Sequence, residues 1–173
     1  GQPGFEFTRT LHRSWNARGL PTGFRLTDAN LIENEASYGY HPNAGRLQTV
    51  NGDATVGTFA YDYQLDSLSL VHTVNGPAHS VINSWNPTRD ILDAKNNQSG
   101  STTISNYTYL TNSLDQIVST TQIDFLSATP KETLWNYDHL GQIISANRSG
   151  VIFDRAYKYD AVGNRIEARD RAT

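Results

Sequence analysis

Aromatic side chains are the residues of this chain that are best suited to bind a ligand. The 173 residues include three tryptophans and nine tyrosines. Flat aromatic faces can pack against the apolar faces of sugar rings, so Trp15, Trp85 and Trp135 are candidate sugar-stacking residues. The alternative is a ladder in which the aromatics pack on one another across strands. We favour the ladder because the aromatics recur regularly along the chain.

Carboxylates could supply acid and base catalysis, but their pattern does not favour it. Asp138 and Asp160 each follow a tyrosine directly. Hydrolysis by a carboxylate pair requires the two groups to lie roughly 5 to 10 Å apart across a cleft, whereas the capping of a turn explains both residues. No Gly-x-Ser-x-Gly motif surrounds a serine. We therefore expect no catalytic residues and no enzyme activity.

Metal ligands are present only in weak patterns. The five histidines form no pair at i and i+4, and there is no cysteine, so a zinc site is poorly supported. Asp90 with Asp93, or Asp62 with Asp66, could offer oxygen ligands to calcium. Neither pair lies in the dense Asp, Asn and Gly loop that such sites use. We expect no metal and no cofactor.

Composition excludes several classes of protein. A hydrophobic content of 37% and a mean hydropathy of -0.54 suit a thin sheet with one wet face better than a compact α/β enzyme. The formal net charge is -3 and the 14 basic residues are scattered, so a nucleic-acid partner is not expected. Apolar runs of only a few residues argue against membrane insertion. The opening Gly1-Gln2-Pro3-Gly4, without methionine, suggests a fragment of a larger protein.

The elements that must position these side chains form an internal repeat. One aromatic of each copy precedes a turn signal, and a second turn signal rich in Asn and Gly lies between successive copies. The copies return every 22 to 28 residues, and repeats of this period indicate units that stack on their neighbours. Two turns per period predict two strands per period. The segment 26–37 could hold a short turn of helix. The repeat aromatics are Trp15, Tyr40, Tyr63, Trp85, Tyr109, Tyr137 and Tyr159.

The two clearest copies share two aromatics two positions apart, then Asp, two variable residues and Gly. They begin at Trp135 and Tyr157. Asp at the first turn position can accept hydrogen bonds from turn amides, and Gly at the fourth tolerates a positive φ. The copy at Tyr107 and Tyr109 keeps only the aromatic pair, and its turn lies somewhere in 110–115. Arg18, Arg46 and Arg165 are expected near acidic neighbours.

These copies resemble the tyrosine-aspartate (YD) repeats of the Rhs family, which also occur in shell components of insecticidal toxin complexes and in teneurins. The resemblance implies a coiling ribbon of antiparallel β-hairpins that forms a structural wall. The family's self-cleaving segment contains an Asp-Pro pair, which this sequence lacks, so the resemblance implies no catalytic role. The structural repeat residues that it implies are Tyr137, Asp138, Gly141, Tyr157, Tyr159, Asp160, Gly163 and Arg165.

We therefore predict an all-β module over residues 1–173, with tandem antiparallel β-hairpins in a twisted, curved sheet or a partial β-solenoid or barrel. Its expected role is structural or adhesive, as a wall segment of a large secreted or cell-surface bacterial protein. Neighbouring repeats are the expected partners, and the two sheet edges could also self-associate. The alternative function is a carbohydrate-binding module that holds a polysaccharide on exposed aromatics.

Overall fold

The regular structure of the described residues consists of β-strands alone. A computed structural model describes residues 9–28, 31–63, 69–150 and 153–170, and within these ranges no residue is helical. The all-β prediction is confirmed. The 14 strands are β1 (Arg9–Trp15), β2 (Pro21–Asp28), β3 (Leu31–Tyr40), β4 (Leu47–Asn51), β5 (Thr58–Tyr63), β6 (Val71–Asn75), β7 (Ser80–Trp85), β8 (Leu92–Ser99), β9 (Thr102–Thr111), β10 (Ile117–Asp124), β11 (Ser127–Tyr137), β12 (Ile143–Arg148), β13 (Phe153–Tyr159) and β14 (Arg165–Asp170).

The strands are hydrogen-bonded in the order of the chain, from β1 to β14. They make seven hairpins, which we number 1 to 7 from β1–β2 to β13–β14. In each hairpin the first strand leads into a turn and the second strand returns. The predicted succession of antiparallel hairpins is confirmed. By its internal contacts the chain divides into two compact units, Gly1–Ser80 and Val81–Thr173, which are described separately below.

In the first unit, each hairpin has a register shift beside the residue that precedes its turn. We call this residue the motif residue. In hairpin 1 the motif residue Trp15 pairs with Pro21, and the shift lies between Ser14 and Trp15. In hairpin 2 Tyr40 pairs with Leu47, again next to a shift. Such bulges increase the local strand twist, so the motif residues mark a repeated twist in the ladder.

The second unit repeats this arrangement and corrects the phase of one copy. Tyr137 pairs with Ile143 and Tyr159 with Arg165, each beside a register shift. In hairpin 5, however, Thr111 is the motif residue and pairs with Ile117. The prediction of Tyr109 as the aromatic before the turn is therefore wrong by two residues. The turn lies at 112–115, where the local sequence offers Asn and Asp but no Gly.

Most side chains in the strands are only partly buried. Among the described residues, Ala146 and Ser119 keep 1% and 7% of their surface exposed, and Gly23 is the other buried residue. The ladder bonds and the packing of cross-strand neighbours must therefore supply most of the stability. This agrees with the low hydrophobic content.

The segment 26–37 is not helical where the structure describes it. Residues 26–28 end β2, and residues 31–37 begin β3, with residues 29–30 outside the described ranges. Leu26 pairs with Asn34 across the two strands. Pairing with neighbouring strands therefore overrides the weak local helical signal. No helix within the described ranges is long and apolar enough to cross a membrane.

Candidate functional site

In hairpins 1, 5, 6 and 7 the side chain of the first turn residue caps the turn. Oδ1 of Asp138 accepts hydrogen bonds from the amides of Leu140 and Gln142, both at 2.9 Å. Oδ1 of Asp160 accepts from the amides two and four positions further on, at 3.0 and 2.8 Å. Asn16 and Asn112 cap their turns through the same positions. The repeat acids and amides are therefore engaged by the backbone of their own turns.

The fourth residue of these turns has a positive φ. Gly19, Gly141 and Gly163 have φ values of 76°, 79° and 91°. In hairpin 5 Asp115 takes this position with a φ of 61°, which explains why the sequence did not reveal the turn. The glycines at 141 and 163 are also crowded. A β-carbon added there would lie 3.0 Å from Nε2 of Gln116 and 3.1 Å from Nε2 of Gln142, respectively.

Tyrosine hydroxyls connect consecutive hairpins. In four tyrosines of the described residues, the hydroxyl donates a hydrogen bond to a carbonyl of the preceding hairpin. The acceptor is the residue that opens the return strand of that hairpin. We call this hydrogen bond the tyrosine bridge. It was not predicted, because a backbone acceptor leaves no signature in the sequence. The four bridges run from Tyr40 to Pro21 at 2.7 Å, from Tyr63 to Leu47 at 2.7 Å, from Tyr137 to Ile117 at 2.7 Å and from Tyr159 to Ile143 at 2.9 Å.

Burial favours the protonated hydroxyl in two of these tyrosines, Tyr63 and Tyr137. Burial raises the pKa of Tyr137, and burial likewise raises the pKa of Tyr63 against the opposing charge of Arg46. The guanidinium carbon of Arg46 lies 4.6 Å from the centre of the Tyr63 ring, and that of Arg165 lies 5.5 Å from the Tyr157 ring. These two arginines, which were expected near acids, make cation–π contacts.

Arg89 links two hairpins at the point where the motif tyrosine is missing. It belongs to the turn of hairpin 4 and forms an ion pair with Asp115 in the turn of hairpin 5, with 2.7 Å between Nη1 and Oδ1. Its guanidinium also donates to the carbonyl of Asn112 at 3.1 Å and to the hydroxyl of Thr111 at 3.0 Å. Sequence analysis missed this residue, although it stands in a turn that lacks Gly.

The three candidate sugar-stacking tryptophans lie in different surroundings. Trp15 is 58% exposed and borders a groove of about 720 Å³ whose lining includes Tyr38 and Tyr40. Trp135 is partly buried, and its Nε1 donates to the hydroxyl of Thr120 at 3.4 Å. Trp85 is also partly buried. Trp15 is therefore the tryptophan most open to a ligand.

The described part of the chain contains no group of three or more His, Asp or Glu that could hold a metal ion. Asp90, one of the candidate calcium ligands, lies in the turn of hairpin 4 with a φ of 53°. Asp66, another candidate, lies outside the described residues. In the described residues, the polar groups that converge are those of the capped turns and the tyrosine bridges. These groups bind other parts of the chain.

Comparison with known proteins finds likeness in fold only. No protein-family model matches the sequence, and no curated protein matches it. Solved structures that resemble the chain include the crystal structure of TcdB2-TccC3-TEV, with a TM-score of 0.72 and 18% identity over 92% of this chain. They also include the Photorhabdus luminescens Tc holotoxin pore with a mutation in TccC3, with a TM-score of 0.68 and 18% identity over 91% of this chain. The chain spans 9% of the length of either matched chain. It therefore shares its hairpin-repeat fold with a small segment of Tc toxin complex chains.

Proposed function

We propose that this chain is a structural wall module, a run of β-hairpin repeats from a large secreted or surface-displayed bacterial protein of the Rhs type. The observation that carries the proposal is the tyrosine bridge, which recurs in both compact units. Each bridge connects one hairpin to the hairpin before it. Its partner is a neighbouring repeat, as expected of a side chain whose task is to build a continuous wall.

The resemblance in sequence and the likeness in fold support the proposal independently. The motif that begins at Tyr157 resembles the YD repeats, which occur in toxin-complex shell components. The solved structures with a similar fold contain chains of Tc toxin complexes. A module that matches 9% of such a chain would form one part of a larger wall. The proposal assigns this chain no catalysis and no cofactor.

The geometry explains how a sheet with so few buried residues holds together. A net contribution of about 0.5 to 1.5 kcal/mol is typical of one intramolecular hydrogen bond. The tyrosine bridge adds such a bond between hairpins, in addition to the ladder bonds of adjacent strands. The capped turns fix the end of each hairpin, and the bulge at the motif residue twists it. Together these features orient each hairpin on its predecessor.

Limited proteolysis tests the structural proposal. The double variant Tyr63→Phe/Tyr137→Phe removes one bridge from each unit while it keeps both rings. Tyr61→Phe/Tyr157→Phe is the matched control, since neither hydroxyl makes a hydrogen bond within the described part of the chain. We expect the bridge variant to be cleaved several-fold faster than the wild-type chain and the control at the wild-type rate. Equal cleavage of all three proteins would reject the bridges as the basis of the wall.

A second candidate function, carbohydrate binding, is favoured by one observation. Trp15 is exposed and borders a groove that Tyr38 and Tyr40 also line. Aromatic rings in a groove can stack on pyranose rings. Affinity electrophoresis in gels that contain plant, algal and microbial polysaccharides tests this function. Retardation that Trp15→Ala abolishes and Trp85→Ala leaves intact would support it, and no retardation in any gel would reject it.

A further inference from the structure

The acceptors of the tyrosine bridges follow a rule that can be extended beyond the last bridge. Each acceptor is the residue that opens a return strand and pairs with the motif residue of its own hairpin. Leu47 pairs with Tyr40, and Ile143 pairs with Tyr137. In hairpin 7 the residue in this position is Arg165, which opens β14 and pairs with Tyr159. Its carbonyl lies at the position of the next acceptor in the series.

A second contact between hairpins follows the same rule. The residue before the acceptor lies against the turn glycine of the next hairpin at Gly45, Gly141 and Gly163. Gln116, before Ile117, is the nearest neighbour of a β-carbon placed on Gly141, at 3.0 Å. In hairpin 7 the equivalent residue is Asn164, whose Nδ2 donates to Oδ2 of Asp160 at 3.0 Å. Asn164 therefore has a fixed position beside the expected acceptor.

The edge of β14 is open along the described residues. β14 is the last strand in the sheet order and pairs with β13. Five of its six residues are exposed, and the apolar side chain of Ile166 is 66% exposed. An unpaired strand edge can bind another strand through its free amides and carbonyls. The interface that would form there continues the interface already seen between hairpins 6 and 7.

We propose that the edge of β14 is a docking site for a further β-hairpin with tyrosine as its motif residue and glycine as the fourth residue of its turn. This inference rests on the proposed structural function. The incoming tyrosine hydroxyl donates to the carbonyl of Arg165, and the incoming glycine lies against Asn164. Together these two contacts determine the register of the partner hairpin.

A second copy of this chain is the weaker partner, because its first hairpin lacks the tyrosine hydroxyl. The motif residue of hairpin 1 is Trp15, which has no hydroxyl. The high exposure of Trp15 has a simple cause in this scheme. The motif tyrosines contact the return strand of the preceding hairpin. Because β1 is the first strand in the sheet order, Trp15 has no such strand to contact among the described residues. The partner that fits the edge of β14 best is therefore a different hairpin, one that carries the tyrosine.

The test converts this chain into its own partner. In Trp15→Tyr the first hairpin gains the hydroxyl, so one copy can bind the β14 edge of the next in a head-to-tail, open-ended contact. Trp15→Phe is the matched control, an aromatic without a hydroxyl. Sedimentation velocity over a concentration series measures association, and hydrogen exchange of residues 165–170 locates it.

We expect Trp15→Tyr to associate about five- to tenfold more tightly than Trp15→Phe and the wild-type chain, as expected for one added hydrogen bond. The amides of β14 should become protected as the concentration rises, in this variant alone. Equal association of the two variants would overturn the proposal, as would association without protection of β14. The docking proposal can fail while Tyr63→Phe/Tyr137→Phe is still cleaved faster than its control. In that case the docking site is rejected and the structural function stands.

Discussion

The hydroxyl of Tyr159 donates a hydrogen bond of 2.9 Å to the carbonyl of Ile143, which belongs to the preceding hairpin. Ile143 in turn pairs with Tyr137, the motif residue of that hairpin, and Tyr137 donates to the carbonyl of Ile117 one hairpin earlier. Each motif tyrosine thus binds the backbone opposite the previous motif residue. The repeat in the sequence is therefore a repeat of contacts between hairpins.

Replacement of Gly163 by valine should destabilise the chain by about 1 to 2 kcal/mol. Gly163 has a φ of 91°, which a β-branched residue adopts only with strain. The new side chain would also approach Nε2 of Gln142, which lies 3.1 Å from the position of an added β-carbon. Urea unfolding measures the loss, with Ala161→Val in the same turn as the control. A wild-type midpoint for Gly163→Val would show that this turn imposes no conformational restriction.

The stability of the chain should fall in acid partly through Asp160. The side-chain amide of Asn164, followed by turn amides, lowers the pKa of this aspartate. Because the folded chain favours the ionised carboxylate, the contribution is present above the unfolded pKa of about 3.9 and is lost as the pH falls through the lower folded pKa. Asp160→Asn keeps an acceptor for the turn amides but cannot titrate.

Thermal unfolding between about pH 6 and about pH 3 distinguishes the two proteins. We expect the melting temperature of Asp160→Asn to decline less steeply than that of the wild-type chain. Parallel slopes for the wild type and Asp160→Asn would mean that the carboxylate of Asp160 contributes nothing specific.

Arg89 and Asp115 should be energetically coupled. Their ion pair joins the turns of hairpins 4 and 5, and both side chains remain partly exposed. A coupling energy of about 0.2 to 1 kcal/mol is typical of such pairs. Asp115→Asn suits a double-mutant cycle with Arg89→Ala, since asparagine also tolerates the positive φ at position 115. The coupling should weaken in 1 M salt. Additive effects of the two substitutions would refute it.

The residues show which parts of this structure a sequence can reveal. The turns at Asp138 and Asp160 were predictable because a short polar side chain and a glycine determine their conformation locally. The turn at 112–115 was not placed, because Asp115 takes the conformation that glycine takes elsewhere. The tyrosine bridge could not be predicted either, since its acceptor is a backbone carbonyl 16 to 20 positions earlier in the chain.

The exposure of the candidate binding residues depends on their position in the sheet more than on their residue type. Trp15 and Trp135 have the same side chain, yet Trp15 is 58% exposed and Trp135 is partly buried. Trp15 lies on the first strand of the sheet order, whereas Trp135 lies between β10 and β12. No local pattern distinguishes these two surroundings. The exposure of these two tryptophans therefore differs with their place in the sheet order.

The most direct test of the tyrosine bridge is the urea unfolding of Tyr159→Phe compared with Tyr157→Phe. Both substitutions remove one hydroxyl from β13, but of the two hydroxyls only that of Tyr159 donates to a neighbouring hairpin within the described residues. We predict that Tyr159→Phe lowers the free energy of unfolding by about 0.5 to 1.5 kcal/mol, with Tyr157→Phe close to the wild type. Equal stability of the two variants would contradict the claim that motif tyrosines hold consecutive hairpins together.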